Sequence, residues 1–534
     1  MAELAEREQA PGQARPGRRL GASLPGWLVV AVPALAGFVI AVVGLSGPSL
    51  WRDEAYTKDA ISRSLSHLFA LLHRTDAVHG AYYVFVHFFA EVFGTSDMAL
   101  RFPSVCAMAV ATGFTAAIAR RAATLAGSGW PDATGLLAGL LFAVAPYMTY
   151  YAQTARPYAF VTMFATIASY LLLRAATAGG WRWWCGYGLA VACTGLFNTF
   201  GLLILPAHAL TLLVVWRQRA GSGAGSGSGR AAWLRRSALP WLIASVAAIV
   251  VLAPLLLISF HQRGQISWLA KPSVKTVLTL VHDFAGSKAL VIPVGLLALG
   301  GVLAGALDGR RLSPAAIALP WLVVPPVVLL AVSMVKPVYD QRYIEFCLPA
   351  LAILVAAGLV GLTRLVATTP LARADARLAW FPSAAILAVL AVMLVAPQHA
   401  IRQSSTRPDN LRLASELVAA NEQPGDVVFY MPSNMHVLGT GYPAPFLKLR
   451  DLALAKSAIA SATLTGTEIS SPAELASRFT DVNRVWVVTG ANNYKFPSPT
   501  TPMDREKMAL VAGAGMHIVH RWQAGEVMLT LYAR

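Results

Sequence analysis

Long apolar runs separated by short polar loops recur from residue 27 to residue 397. The first of them, 27–45, carries no charge and is close to the ~20 residues a helix needs to cross a bilayer. Apolar length read together with loop charge predicts about eleven spans: 27–46, 98–119, 133–151, 158–174, 183–198, 200–216, 238–259, 286–306, 315–334, 343–362 and 379–397. Lys and Arg gather in the intervening loops, at Arg120 and Arg121, Arg174 and Arg182, Arg217 to Arg236, Arg310 and Arg311, and Arg364 to Arg377. Loops of this kind stay on the cytoplasmic side during insertion. Each neighbouring pair of them is separated by apolar sequence enough for two crossings. The polar start, 1–25, with Arg15, Arg18 and Arg19, then reads as a cytoplasmic tail ahead of an uncleaved signal-anchor.

Two stretches fit the pattern less simply. The run 81–94 is apolar but short, and counting it as a crossing moves Arg120 and Arg121 outside. It is expected to be an interfacial or re-entrant helix within an outer-face loop, 47–97. Over 56–73, Ile61, Leu65, Leu68 and Leu72 recur at helical spacing, with Lys58, Arg63 and His67 between them. That is the pattern of one amphipathic helix lying on the membrane surface. The segment 221–229, GSGAGSGSG, is a flexible cytoplasmic linker.

After residue 400 the long apolar runs stop, and 401–534 has the composition of an ordinary globular domain. Asp409 is placed to cap a helix over 410–421. Pro424, Gly425 and Asp426 form a turn into a strand over 427–431. Ser471 followed by Pro472 starts another helix, and 484–489 and 526–532 read as strands. Alternating helix and strand patterns predict a small α/β domain. An odd number of spans places it outside. The expected organisation is a tail at 1–25, a polytopic α-helical membrane domain at 26–400, and an extracytoplasmic α/β domain at 401–534.

Composition supports this division. Of 534 residues, 56% are hydrophobic and only 13% charged, where a soluble domain carries roughly 25% charged residues. The net charge of +17 does not indicate nucleic acid, because no basic face interleaved with aromatics accompanies it. The four cysteines, Cys106, Cys185, Cys193 and Cys347, all lie in apolar runs, which indicates neither a disulfide framework nor a zinc site. No phosphate-binding loop, dinucleotide fingerprint or metalloprotease motif occurs.

Candidate chemistry sits in the outer loops. Asp53 and Glu54 are adjacent carboxylates at the exit of the first span, where charge is expensive. A carboxylate there can take a proton from an attacking hydroxyl. The plainer alternative is an interfacial charge paired with Arg52 or Lys58, with Glu54 favouring a helix N-terminus. Asp76 and His79 precede the aromatic pair Tyr82 and Tyr83, which alone reads as an interfacial belt. Arg101, at the outer end of a span, reads singly as an anchor. Arg156, followed by Tyr158, and Arg342, followed by Tyr343, stand on the outer side where the charge rule disfavours them. Guanidinium groups grip phosphate oxygens with paired hydrogen bonds. Interfacial anchoring, or an Asp340–Arg342 pair, remains the alternative for these.

Taken in order, these stretches resemble the C-type-fold membrane glycosyltransferases, in the branch of protein O-mannosyltransferases and aminoarabinose transferases. Residues 51–56, WRDEAY, resemble the acidic motif after the first span. Residues 79–83 resemble a His-Pro-Pro-x-Tyr-Tyr motif, with Gly80 and Ala81 in place of the prolines. Residues 99–104, ALRFPS, resemble the start of the next span, and 151–158 a Gln-Glu-Ala-Arg-x-Tyr motif in which Thr154 replaces the acid. Residues 341–349 resemble the Arg-Tyr entry to a late span. The likeness covers roughly the first 350 residues.

That resemblance implies a GT-C-like fold and a hexosyl- or pentosyltransferase of the plasma membrane. It implies inverting transfer from a polyprenyl-phosphate sugar to an acceptor on the outer face, whether protein, glycolipid or polysaccharide. Asp53 would be the general base, with Glu54 beside it. Arg342, with Arg101 or Arg156, would hold the lipid phosphate, and Asp76, His79, Tyr82, Tyr158 and Tyr343 would complete the substrate site. No obligatory cofactor or metal is expected. A divalent cation is conceivable beside Asp53 and Glu54, which alone are not a sufficient ligand set. Two rivals share the topology: a lipid or sugar transporter or flippase without transfer chemistry, and an assembly scaffold. The first is disfavoured by the clustering of polar motifs at one face and by the lack of an internal repeat.

Overall fold

The computed structural model describes residues 25–219, 233–307, 312–490, 499 and 501–534. The N-terminal tail to residue 24, the Gly-Ser segment 221–229, and Arg310 with Arg311 lie outside the described residues.

Each expected span is helical. The chain begins with α1 (Gly26–Val42), then α2 (Arg52–Ile61), α3 (Leu65–Arg74) and α4 (Gly80–Phe93). It continues with α5 (Asp97–Leu125), α6 (Pro131–Val144), α7 (Pro146–Ala152), α8 (Tyr158–Ala178), α9 (Trp181–Phe197) and α10 (Ile204–Arg219). The later membrane helices are Leu239–His261, Val291–Leu307, Pro314–Val335, Leu348–Ala367 and Phe381–Ala400. Among the described residues, eight helices are long and apolar enough to cross a membrane, and the bent pair α6–α7 makes a ninth. The helices α1 and α9, 17 residues each, account for the other two expected spans. The 63° bend between α6 and α7 falls at Ala145-Pro146. Proline disfavours helical geometry in the residue before it, and Ala145 is extended, at φ −64° and ψ 124°.

The short apolar run is α4, whose 14 residues span ~21 Å, less than a bilayer core. The single amphipathic helix expected over 56–73 is instead two helices. Extended Ser64 accepts a hydrogen bond from the His67 N–H and starts α3 afresh. Arg63, at the break, is buried and donates to Asp59 and to the Thr463 carbonyl of the C-terminal domain.

The bundle has two chemically distinct ends. Arg101 lies near the start of α5 and Arg120 is 19 residues on, ~29 Å along the axis. At that far end Arg120 pairs with Asp132 at 2.6 Å, Arg121 donates to Thr177, and Arg364 donates to Ser128. Three of the basic loops thus meet at one end, and the acidic loop 47–97 begins at the other.

The C-terminal domain is a five-stranded sheet with helices. Its strands are β1 (Val427–Met431), β2 (Arg450–Asp451), β5 (Arg484–Gly490), β6 (His517–Ala524) and β7 (Val527–Ala533). A separate two-stranded ribbon is β3 (Leu454–Lys456) with β4 (Thr467–Glu468). The order is β2-β1-β5-β7-β6, with β1 parallel to β2 and β5, and β7 antiparallel to β5 and β6. Alternation splits the core: Val427, Phe429 and Met431 pack on one face, Val428 and Tyr430 on the other. Ala55 of α2 belongs to that second face, so α2 is packed into the sheet domain as well as the bundle. Ser471 caps the helix Pro472–Arg478 as its sequence predicts. Asp409 does not cap the helix Leu411–Asn421. Asn410 does, accepting from the Leu413 N–H, and the Asp409 carboxylate is occupied by Arg52.

Candidate functional site

Three consecutive residues at the N-terminus of α2 point to three environments, because a helix turns about 100° per residue. Arg52 faces the sheet domain, Asp53 faces a cavity, and Glu54 is buried in the bundle. Glu54 and Arg101 are both fully buried and form a bidentate pair, with Arg101 Nε and Nη2 donating to Glu54 at 2.8 and 2.7 Å. Arg101 also donates to the carbonyls of Leu45, Pro48 and Ser49, and Glu54 accepts from the Ala155 N–H. This pair ties the end of α1, α2, α5 and the turn before α8 together. The structure does not bring Glu54, Arg101 or fully buried Tyr82 into the cavity.

Asp53, Asp76, His79, Arg156, Tyr158, Arg342 and Tyr343 all line it. Asp340 accepts from the Arg342 N–H and lies 2.9 Å from its Nε, which fixes the guanidinium at the turn before the helix Leu348–Ala367. Arg342 Nη1 then reaches Asp53 Oδ2 at 2.5 Å. Tyr343 stacks on Phe200, with ring centroids 4.5 Å apart. On the other side, Arg156 donates from Nη1 to Tyr83 Oη at 3.1 Å and to the Asp53 carbonyl at 3.3 Å. Its Nη2 lies 2.7 Å from His79 Nε2. Guanidinium can only donate, so His79 Nε2 accepts and the ring proton is assigned to Nδ1. Tyr83 donates to Asp76 Oδ2 at 2.5 Å, with Asp76 in a left-handed conformation at φ 62°.

Electrostatics separate the two acids. Burial pushes the Asp53 pKa upward, but Arg342, followed by Arg156 and Arg52, outweighs it and holds the carboxylate below its ordinary value. For Asp76, burial dominates over Arg156 and Tyr83, and its pKa is raised. Burial and then Arg156 drive His79 well below the usual imidazole range, so the ring is neutral.

The cavity encloses about 910 Å³ between the bundle and the sheet domain. Arg52, Arg156, Arg263, Lys336 and Arg342 line it against only three carboxylates, Asp53, Asp76 and Glu526. Asp409 and Asp340, behind the wall, offset Arg52 and Arg342, while Arg156, Arg263 and Lys336 are in no ion pair among the described residues, which suits an anionic ligand. Pro408, Asn434, Leu464 and Glu526 line its sheet-domain side. Sequence reasoning did not find these four, nor Arg52, Arg263 and Lys336 as cavity cations. Lys336 stands six residues before Arg342 at the same end of the preceding helix, which was a usable signal. Asn434 and Glu526 carry none, since only the docking of the domain brings them in. Among the described residues, no three His, Cys, Asp or Glu side chains converge as a metal-ligand set. Both Glu54 oxygens accept from Arg101, and Glu54 does not line the cavity that Asp53 faces.

Residues 81–258 match the model of the dolichyl-phosphate-mannose-protein mannosyltransferase family. No curated protein sequence matches the chain. Among solved structures, ArnT from Cupriavidus metallidurans is similar over 95% of this chain and 98% of its own, at 16% identity. The TM-score is 0.57 for its apo state and 0.58 for its complex with undecaprenyl phosphate. The family match and the shared fold make the chain a multi-pass membrane protein with the C-type fold of membrane glycosyltransferases, similar in residues 81–258 to the protein mannosyltransferases and over nearly its whole length to ArnT.

Proposed function

We propose that the chain transfers a sugar from a polyprenyl-phosphate donor to an acceptor hydroxyl, with inversion, and that Asp53 is the general base. The observation that carries this reading is the ion pair of Asp53 with Arg342 in a cavity richer in cations than in carboxylates. The donor phosphate competes for Arg342, with Arg156 and Lys336 as further cations of the same cavity. Engaging Arg342 removes the strongest interaction that depresses the Asp53 pKa, so donor binding makes Asp53 a better base. The acceptor oxygen attacks the anomeric carbon and gives its proton to Asp53. The bond from that carbon to the phosphate oxygen breaks, its electron pair stays with the phosphate, and polyprenyl phosphate leaves. Arg342 stabilises the charge that develops there, so no acid catalyst is required. Neutral His79 and Tyr83 hold Arg156 against the Asp53 carbonyl. Glu54 and Arg101 act as a buried strut.

The same reading puts the cavity and the sheet domain on the outer face of the plasma membrane. Its support is the gathering of basic loops at the opposite end of the bundle. The test combines polyprenyl-phosphate hexoses and pentoses with membranes carrying the chain and an envelope extract as acceptor. Release of polyprenyl phosphate with labelling of the extract, and an inverted anomeric configuration in the product, are expected. A retained configuration removes Asp53 from the role of base. A Glu526→Cys variant labelled by an impermeant thiol reagent on intact cells tests the sidedness, and no labelling contradicts it.

A further inference from the structure

The segment joining the last membrane helix to the sheet domain contains two fully buried charged side chains that touch no candidate substrate atom, Arg407 and Asp409. Asp409 accepts from the backbone N–H of Arg52 at 3.0 Å and, bidentately, from its Nε and Nη2 at 2.9 and 2.8 Å. It therefore caps the N-terminus of α2, one residue before Asp53, although it belongs to another part of the chain. Arg407 donates to Thr154 Oγ1 at 3.0 Å and to the carbonyls of Gln153 and Tyr150 at 2.6 and 3.3 Å. Its guanidinium also lies 3.9 Å from the centre of the Tyr150 ring. It thus closes the C-terminal end of α7, two residues before Arg156. Pro408, between them, lines the cavity. The strap is held by the β6–β7 turn: the Pro408 carbonyl accepts from the Glu526 N–H, and the Asn410 N–H donates to Ala524. A side chain at Gly525 would meet the Pro408 carbonyl at 2.5 Å, so that turn admits only glycine at this closeness.

We propose that Arg407 and Asp409 are positioning residues for the transfer reaction, through which the sheet domain sets where Asp53 and Arg156 stand relative to one another. The proposal rests on the catalytic reading above. It makes the C-terminal domain part of the reacting unit rather than an accessory.

The test uses the full chain in lipid nanodiscs, with Asp409→Ala and the isosteric Asp409→Asn, and with Arg407→Gln and the conservative Arg407→Lys. Three quantities are read: amide hydrogen exchange over 50–61 and 150–158, the unfolding midpoint, and turnover of a labelled polyprenyl-phosphate sugar. Exchange over 50–61 is expected to rise about tenfold in the Asp409 variants, with the sheet strands unchanged. The kcat is expected to fall about tenfold or more while the donor KM stays within about threefold. Arg407→Lys is expected to recover part of what Arg407→Gln loses. Unchanged exchange over 50–61 overturns the proposal, as does a loss of kcat that only tracks a falling midpoint. If Asp53→Asn keeps full turnover, the catalytic reading fails, and the exchange data still decide whether the strap sets α2.

Discussion

Asp53 Oδ2 and Arg342 Nη1 lie 2.5 Å apart although 289 residues of chain separate them. The pair joins the loop after the first span to the turn before a late one, across the floor of the cavity. The pairing makes specific demands on the variants of each partner.

Removing the guanidinium should weaken both donor binding and chemistry. Arg342→Ala is expected to lower kcat/KM about 10²–10³-fold. Arg342→Lys keeps the charge but loses the planar fork, and should recover only part of that loss. Steady-state turnover of a labelled polyprenyl-phosphate sugar, with polyprenyl phosphate binding measured in parallel, checks both.

The pH profile has a fixed sign. As the proposed base, Asp53 would work only when ionised, and burial raises its pKa while Arg342 and the other nearby cations lower it by more, so it is depressed on balance. Activity is therefore present above that pKa and lost as pH falls through it. In Arg342→Gln the opposing burial acts with less resistance, so the acid limb of kcat/KM, which reports the free enzyme, should move to higher pH. A limb that stays in place or moves down contradicts the assignment. The same depression gives Asp53 a contribution to stability that is present above about pH 4 and fades as pH falls through the folded value. Donor-free unfolding midpoints across pH 2–6 would show it.

The strut behaves differently from the reacting acid. Glu54→Ala leaves Arg101 charged and buried without its partner, which costs about 3–5 kcal/mol. Such a variant should lose its folded, monodisperse state in detergent. Asp53→Asn, at a cavity wall, should not. Thermal unfolding followed by size-exclusion chromatography separates the two adjacent acids.

Bundle packing offers a control remote from the cavity. The helices Val291–Leu307 and Leu348–Ala367 cross so closely that a Cβ on Gly358 would meet the Leu297 carbonyl at 2.0 Å, and one on Gly301 the Leu354 carbonyl at 2.1 Å. Small residues let backbones approach in this way where no hydrophobic force drives helices together. Gly358→Leu should separate the pair and lower the unfolding midpoint by several degrees, with Gly361→Ala, where the nearest atom is a side-chain methyl at 3.1 Å, far milder.

The membrane part was legible because its signals are local. Apolar length marks each crossing, and Arg156 and Arg342 stood out as cations in loops that the charge rule expects to be poor in them. What stayed hidden depends on distant partners. Nothing around Glu54 announces that Arg101 will bury it, so two adjacent carboxylates read as a pair when they face different surroundings. Ser64 is a capping residue that was read as one more position in a longer helix. Asp409 looked like a cap for the helix that follows it and is a cap for one 357 residues earlier. Asn434 and Glu526 enter the cavity only because α2 is packed into the sheet domain through Ala55.

The most direct measurement is single-turnover release of polyprenyl phosphate by the Asp53→Asn variant in membranes with an envelope extract as acceptor. The account predicts a loss of about 10³-fold or more, with donor binding and the unfolding midpoint near those of the parent chain. Turnover within about threefold of the parent chain, at equal folded protein, would contradict it and leave the Asp53–Arg342 pair a structural tie.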